Sequence, residues 1–153
     1  MKSISFTTKS AEETMELGRR FGNLLRPNDV VALCGPLGSG KTCFSKGVAL
    51  GLGVSSADEI VSPTFVLIQE AQGRIPLFHV DLYRIEKWTE IEDLGLEEYG
   101  SRGGVCLVEW AERAKPFLPQ ETLWITFEIL GENERRIDFA SSESHDILAQ
   151  LCL

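Results

Sequence analysis

The eight residues GPLGSGKT, Gly35 to Thr42, most constrain what this chain can become. They fit GxxxxGK followed by Ser or Thr, a loop whose backbone N–H groups surround phosphate oxygens while Lys neutralises charge and Ser or Thr holds magnesium. Such a loop needs a buried strand before it and a helix after it. Pro27-Asn28-Asp29 is turn chemistry, and Val30-Val31-Ala32-Leu33-Cys34 is a short continuous apolar run suited to a strand covered on both faces. Downstream, Phe44, Val48 and Leu52 recur at helical spacing, which predicts a helix starting near Gly40 or Lys41. Its free N-terminal amides and its dipole both favour bound phosphate. The nucleotide-contact set is therefore Gly35, Leu37, Gly38, Ser39, Gly40, Lys41, Thr42 and Cys43, with Lys41 catalytic in offsetting phosphate charge.

The flanking sequence predicts one domain over residues 1–153. Ser3 to Thr7 alternates as a half-buried strand; Ser10-Ala11-Glu12-Glu13 reads as a capping box opening a helix with Leu17, Phe21, Leu24 and Leu25 on its apolar face. Phe65 to Glu70 and Ile75 to Tyr83 read as an antiparallel hairpin, with Pro76 at a strand start or edge because it lacks a ladder donor. Val105 to Val108 is a second buried strand, Leu123 to Ile129 and Arg135 to Phe139 form a closing hairpin, and Asp146 to Leu151 a final helix. Parallel core strands beside antiparallel hairpins imply an α/β fold, a three-layer P-loop type with a mixed parallel and antiparallel central sheet. Ligands of such sheets gather at the carboxyl ends of the central strands.

Two acids outside the loop are candidates for chemistry. Glu109 ends the apolar run Val105–Val108, where an acid can complete a magnesium site with Thr42 or serve solubility alone. Asp81 shares one strand face with His79 and Tyr83; it can orient an attacking or magnesium-bound water, or simply pair with Arg84. The adenine pocket is the least legible part, with Ser10 and Arg136 as its candidates. From Glu86 to Glu98 six carboxylates face one lysine, either a solvated acidic surface or a partner surface.

Composition narrows the function classes. With 15 basic and 23 acidic residues the net charge is −8, which disfavours a broad nucleic-acid-binding face. No apolar run approaches the roughly 18 residues of a membrane span, and the N-terminus lacks the apolar core of a signal peptide, so a cytoplasmic protein with reduced cysteines is expected. The four cysteines form no CxxC pair; Cys34 and Cys106 sit in apolar runs as small hydrophobes.

Together GPLGSGKT, SPTF, HVDLYR, DLGLEEY and VEWAER, in this order, resemble the bacterial TsaE family, formerly YjeE, over nearly the whole chain. The resemblance implies a small ATPase, with ATP and Mg2+ as cofactors, that acts with TsaB and TsaD in forming threonylcarbamoyladenosine beside the anticodon in tRNA; the acidic balance adds that tRNA is met only through those partners. It implies that Gly38 to Thr42 hold the phosphates, Thr42 and Glu109 the magnesium, and Asp81 a catalytic role near the γ-phosphate. It further implies a switch loop at Ser62-Pro63-Thr64 and Trp110 near the nucleotide. Ser39, Cys43 and Ala111 depart from the family's common alanine, threonine and proline. A small-molecule P-loop kinase and a nucleotide-gated binding module with incidental hydrolysis are the alternatives; Arg84, Arg102 and Arg113 lie scattered without an evident lid for the former.

Overall fold

A computed structural model describes residues 1–55 and 68–152. Its elements run β1 (Lys2–Thr8), α1 (Ala11–Leu24), β2 (Val30–Cys34), α2 (Lys41–Gly51), β3 (Ile68–Ala71), β4 (Leu77–Asp81), α3 (Trp88–Leu94), α4 (Leu96–Tyr99), β5 (Val105–Glu109), β6 (Leu123–Ile129), β7 (Arg135–Ser141) and α5 (Ile147–Leu151). Two short 3-10 turns, Ala111–Arg113 and Lys115–Phe117, connect β5 towards β6. The strands form one sheet in the order β1-β7-β6-β2-β5-β4-β3. The central strands β6, β2, β5 and β4 are parallel, while the β1–β7, β6–β7 and β3–β4 pairs are antiparallel. The mixed three-layer α/β expectation holds.

Strand β2 shows why the continuous apolar run matters. Val31 and Leu33 enter one core with Phe21, Phe44 and Val48 from α1 and α2, whereas Val30 and Ala32 enter the other with Ile91 and Leu96 from α3 and α4. Alternate residues of a strand face opposite ways, so only a strand covered on both sides tolerates five apolar residues in succession. Phe44 packs edge-on against Phe127 and Phe139 at centroid distances of 5.5 and 5.9 Å, locking α2 over the sheet.

Helix α1 begins as its capping signal requires. Ser10 is extended and its hydroxyl accepts from the Glu13 N–H, while the Glu13 carboxylate accepts from the Lys9 N–H rather than from that of Ser10. Strand β4 is shorter than Ile75–Tyr83 at both ends. Pro76 precedes it and offers only its carbonyl, which takes the Val105 N–H. At the far end the Asp81 carboxylate accepts the Tyr83 N–H at 2.9 Å and turns the chain out of the sheet. The expected Phe65–Glu70 strand is seen as Ile68–Ala71, its earlier part lying outside the described residues.

The acidic stretch forms α3 and α4, with Ile91 and Leu96 buried and the carboxylates of Glu90, Glu92, Asp93, Glu97 and Glu98 turned to solvent. Among the described residues no helix is long and apolar enough to cross a membrane.

Candidate active site

The glycine-rich loop leaves the carboxyl end of β2 and enters α2. Gly38 and Gly40 carry φ values of 76° and 105°, a region L side chains rarely adopt, so these turns demand glycine. Gly40 is the N-cap of α2 and supplies no side-chain cap. The first-turn amides of the helix thus stay available, and an anion is their natural partner. Within the loop the Ser39 hydroxyl is fully buried without a hydrogen-bond partner among the described residues.

Lys41, the first residue of α2, is 5% exposed. Its Nζ donates to the carbonyls of Gly35 and Pro36 at 2.5 and 2.9 Å and stands 3.9 Å from the centroid of the Trp110 ring. Burial lowers its pKa from the usual lysine range, against the opposing pull of Glu112, Glu109 and Asp81. Trp110 reaches this place from a left-handed backbone conformation, φ 59°, uncommon for a bulky residue and held by the 3-10 turn that follows. Tyr83 packs on its ring at 5.0 Å.

One residue on, the Thr42 hydroxyl donates to Oε1 of Glu109 at 3.0 Å. Glu109 ends β5, one strand over from β2, and is 1% exposed. Its other oxygen, Oε2, lies 2.5 Å from Nε2 of His79 and 3.3 Å from the Ser45 hydroxyl, whose one proton is shared with the Lys41 carbonyl at 2.9 Å. Asp81 faces Glu109 in the β4–β5 register. Burial raises the Asp81 carboxyl above its usual range, helped by the neighbouring Glu109 carboxylate, although the Tyr83 N–H and the Lys41 ammonium pull it down.

A cleft of about 330 Å³ is bordered by Leu37 to Cys43, Asp81, Tyr83, Glu109 and Trp110. The expected loop residues from Leu37 to Cys43, both acids and Trp110 are therefore brought together, whereas Gly35 does not border the cleft and instead offers its carbonyl to Lys41. A second hollow of about 210 Å³ opens from Gly38, Gly40 and Cys43 towards Ser10, Thr14, Asn133 and Arg135. Ser10 is in place there, but Arg136 is not: it pairs with Asp138 at 3.1 Å on the exposed side of β7. Arg135 borders the hollow instead and donates to the Gly38 carbonyl at 3.2 Å. Ser62-Pro63-Thr64 lies outside the described residues.

Ser45 and Arg135 join the site without having been candidates from sequence, and His79, expected only to share the strand face of Asp81, joins them. Ser45 follows Lys41 by one helical turn, and His79 precedes Asp81 by one strand repeat, so face periodicity is the signal that points to both. Cys43 donates to the Ala11 carbonyl at 3.1 Å, and burial raises its pKa. Burial likewise pushes the Cys34 and Cys106 thiols up to about 12, which keeps them as inert thiols.

The donor set of this cleft suits a magnesium-bound polyphosphate. A hydroxyl and a carboxylate oxygen are the hard ligands that ion takes, few in number, beside free amides and an ammonium for the phosphates. Fold and cleft together define a P-loop nucleoside-triphosphatase-like α/β protein. The comparisons narrow the class. The family of the threonylcarbamoyl adenosine biosynthesis protein TsaE matches residues 8–137, and the chain belongs to that family. It is 45% identical to the tRNA threonylcarbamoyladenosine biosynthesis protein TsaE of Bacillus subtilis over 92% of this chain and 87% of the relative. It is 42% identical to the protein of that name from Treponema pallidum, over 87% and 97% of the two chains. The crystal structure of Bacillus subtilis YdiB superposes with a TM-score of 0.81 at 37% identity, covering 99% of this chain and 95% of that one.

Proposed function

We propose that this protein binds ATP with magnesium and hydrolyses it in the cytoplasm, in service of forming threonylcarbamoyladenosine in tRNA, working with TsaB and TsaD. The observation that carries the reading is the meeting of Thr42 and Glu109 at 3.0 Å beside a helix N-terminus whose amides have no side-chain cap. Membership of the TsaE family, whose relatives bear that biosynthetic name, supports the pathway.

Each residue has a separable task. The loop amides from Gly38 to Thr42 hold the phosphate oxygens. Lys41 exchanges its two carbonyl partners for phosphate oxygens, and its low exposure makes that charge felt strongly. Thr42 and Glu109 supply the oxygens that hold magnesium, which when bound with ATP draws charge from the phosphate oxygens. Asp81, at the cleft with a raised pKa, accepts a hydrogen bond from the attacking water and orients it. The hollow past Gly38 and Gly40, with Ser10, Asn133 and Arg135, takes the nucleoside end.

Turnover by the protein alone is slow, because a P-loop positions phosphates but supplies little to drive water. Arg113 does not act as a cis arginine finger: its guanidinium donates to the carbonyls of Leu82, Tyr83 and Ile85. Docking on TsaB–TsaD excludes water and speeds hydrolysis. The net charge of −8 keeps tRNA away except through those partners.

The test is phosphate release at saturating ATP while TsaB–TsaD is titrated in, with Asp81→Ala alongside. Stimulation by the complex and loss in the variant are expected. Equal rates at every partner concentration overturn the docking role, and full activity of the variant removes Asp81 from the mechanism.

A further inference from the structure

His79 has no exposed side-chain surface and does not border the cleft, so it touches neither phosphate nor water there. It is nevertheless fixed from two sides. In the sheet register it stands opposite Gln69 of β3 and Leu107 of β5. Leu107 offers no polar group, and the carboxylate one strand repeat further on, Glu109, reaches back to it. Nε2 of His79 lies 2.5 Å from Oε2 of Glu109, and Nδ1 lies 3.3 Å from Oε1 of Gln69.

The consequence falls on Glu109. Its two oxygens are in different surroundings: Oε2 faces His79 at 2.5 Å and, more distantly, the Ser45 hydroxyl shared with the Lys41 carbonyl, whereas Oε1 receives the Thr42 hydroxyl at the cleft. A carboxylate turns about its last torsion in a broad, two-fold well, so an unsupported Glu109 would present either oxygen at a range of angles. The bonds from β4 and α2 remove that freedom. Magnesium demands near-octahedral geometry and is intolerant of a badly aimed ligand.

Resting on the magnesium–ATP reading above, we propose that His79 is a positioning residue that holds Oε2 of Glu109 so that Oε1 alone is presented, with the Thr42 hydroxyl, to the nucleotide-bound metal. The imidazole anchors the metal ligand from inside the sheet and links it to the β3–β4 hairpin through Gln69. Outer-shell partners of this kind are worth about 10- to 100-fold in metal affinity.

The experiment reads metal binding without turnover. Mn2+ is titrated by electron paramagnetic resonance into the full chain with a non-hydrolysable ATP analogue, and metal-free ADP binding is measured by calorimetry on the same samples. His79→Ala raises the Mn2+ half-saturation about 10- to 100-fold and leaves metal-free ADP affinity within about twofold of wild type. His79→Gln, whose amide N–H can take the place of Nε2, recovers most of the loss and guards against a variant that fails to fold. An unchanged Mn2+ half-saturation in both variants overturns the role of His79 while leaving the magnesium site intact. Equal losses in Mn2+ and metal-free ADP binding, in either variant, also overturn it, because a general packing defect predicts that pattern. A wild-type protein without nucleotide-dependent Mn2+ binding overturns the magnesium reading itself and this role with it.

Discussion

Helices α1 and α2 meet backbone to backbone on one face of the sheet, whereas α3 and α4 reach the other face through side chains alone, chiefly Ile91, Leu94, Leu96 and Tyr99. In the first layer a methyl group added at Gly18, Gly22, Gly47 or Gly51 would overlap the main-chain oxygen of Phe44, Val48, Met15 or Arg19 respectively. Four glycines thus let the two helices approach as closely as their main chains permit. In the second layer α3 and α4 are seven and four residues long and bury Ile91 and Leu96, with Trp88 66% exposed. The difference is one of purpose. The helix proposed to receive phosphate must hold its first turn against β2 within a fraction of an ångström, so it is braced by backbone contacts that cannot slide. A short, acidic layer with few buried anchors has low local stability and can shift when a partner arrives.

Four measurements sharpen or break that contrast. The largest effect is expected at the head of the braced helix. Lys41→Ala weakens ATP binding on the order of 1000-fold, as loss of a desolvated charge partner does, while Trp88→Ala in the opposite layer leaves it unchanged. Calorimetric titration reads both, and comparable losses would end the division between the layers.

Next comes the brace. Gly47→Ala adds one methyl group yet lowers unfolding stability by about 3 kcal/mol, because it presses on the Met15 main chain with no flexible atom to yield. Trp88→Ala removes a far larger side chain and costs about 0.5 kcal/mol or less. Urea unfolding of the two variants compares them directly; similar midpoints would show that the glycine contact relaxes freely.

Glu109→Ala is expected to lie between, at the seam of the two layers. Magnesium-dependent hydrolysis falls about 10- to 100-fold, while nucleotide affinity without metal holds, since Lys41 and the loop amides remain. A magnesium titration of phosphate release with unchanged rates would contradict it.

The smallest effect concerns Asp81, where the proposed role opposes stability. Its folded pKa is raised mainly by burial, so the ionised form destabilises the native state once the pH exceeds that pKa. The neutral form carries relative stability that is fully present below the unfolded value of about 3.9 and is lost as pH rises through the folded pKa. Asp81→Asn keeps the oxygen that accepts from the Tyr83 N–H. It therefore raises Tm at pH 7, and the gain shrinks as the pH is lowered towards 4. Scanning calorimetry at both values tests the sign, and a lower Tm at pH 7 would reverse the argument.

The sequence by itself determined the elements around the site. A continuous apolar run, a glycine loop and a helical repeat are consecutive in the chain, so β2, the glycine loop and α2 were legible from Val30 to Leu52. Glu109 was legible for the same reason, as the acid that ends an apolar strand. Only the tertiary structure decided which oxygen of Glu109 faces Thr42, that His79 takes the other, and that Ser45 joins it. Glu109 is separated from Thr42, Ser45 and His79 by 30 or more positions, and their meeting depends on β4 and β2 both pairing with β5, which no local period encodes. The choice between Arg135 and Arg136 was lost for a related reason. Neighbouring residues of a strand point to opposite faces, and the register that sends Arg135 towards Gly38 and Arg136 to Asp138 is fixed only when β7 pairs with β1 and β6. Local pattern thus specifies what each segment is, and long-range pairing specifies which of its side chains meet.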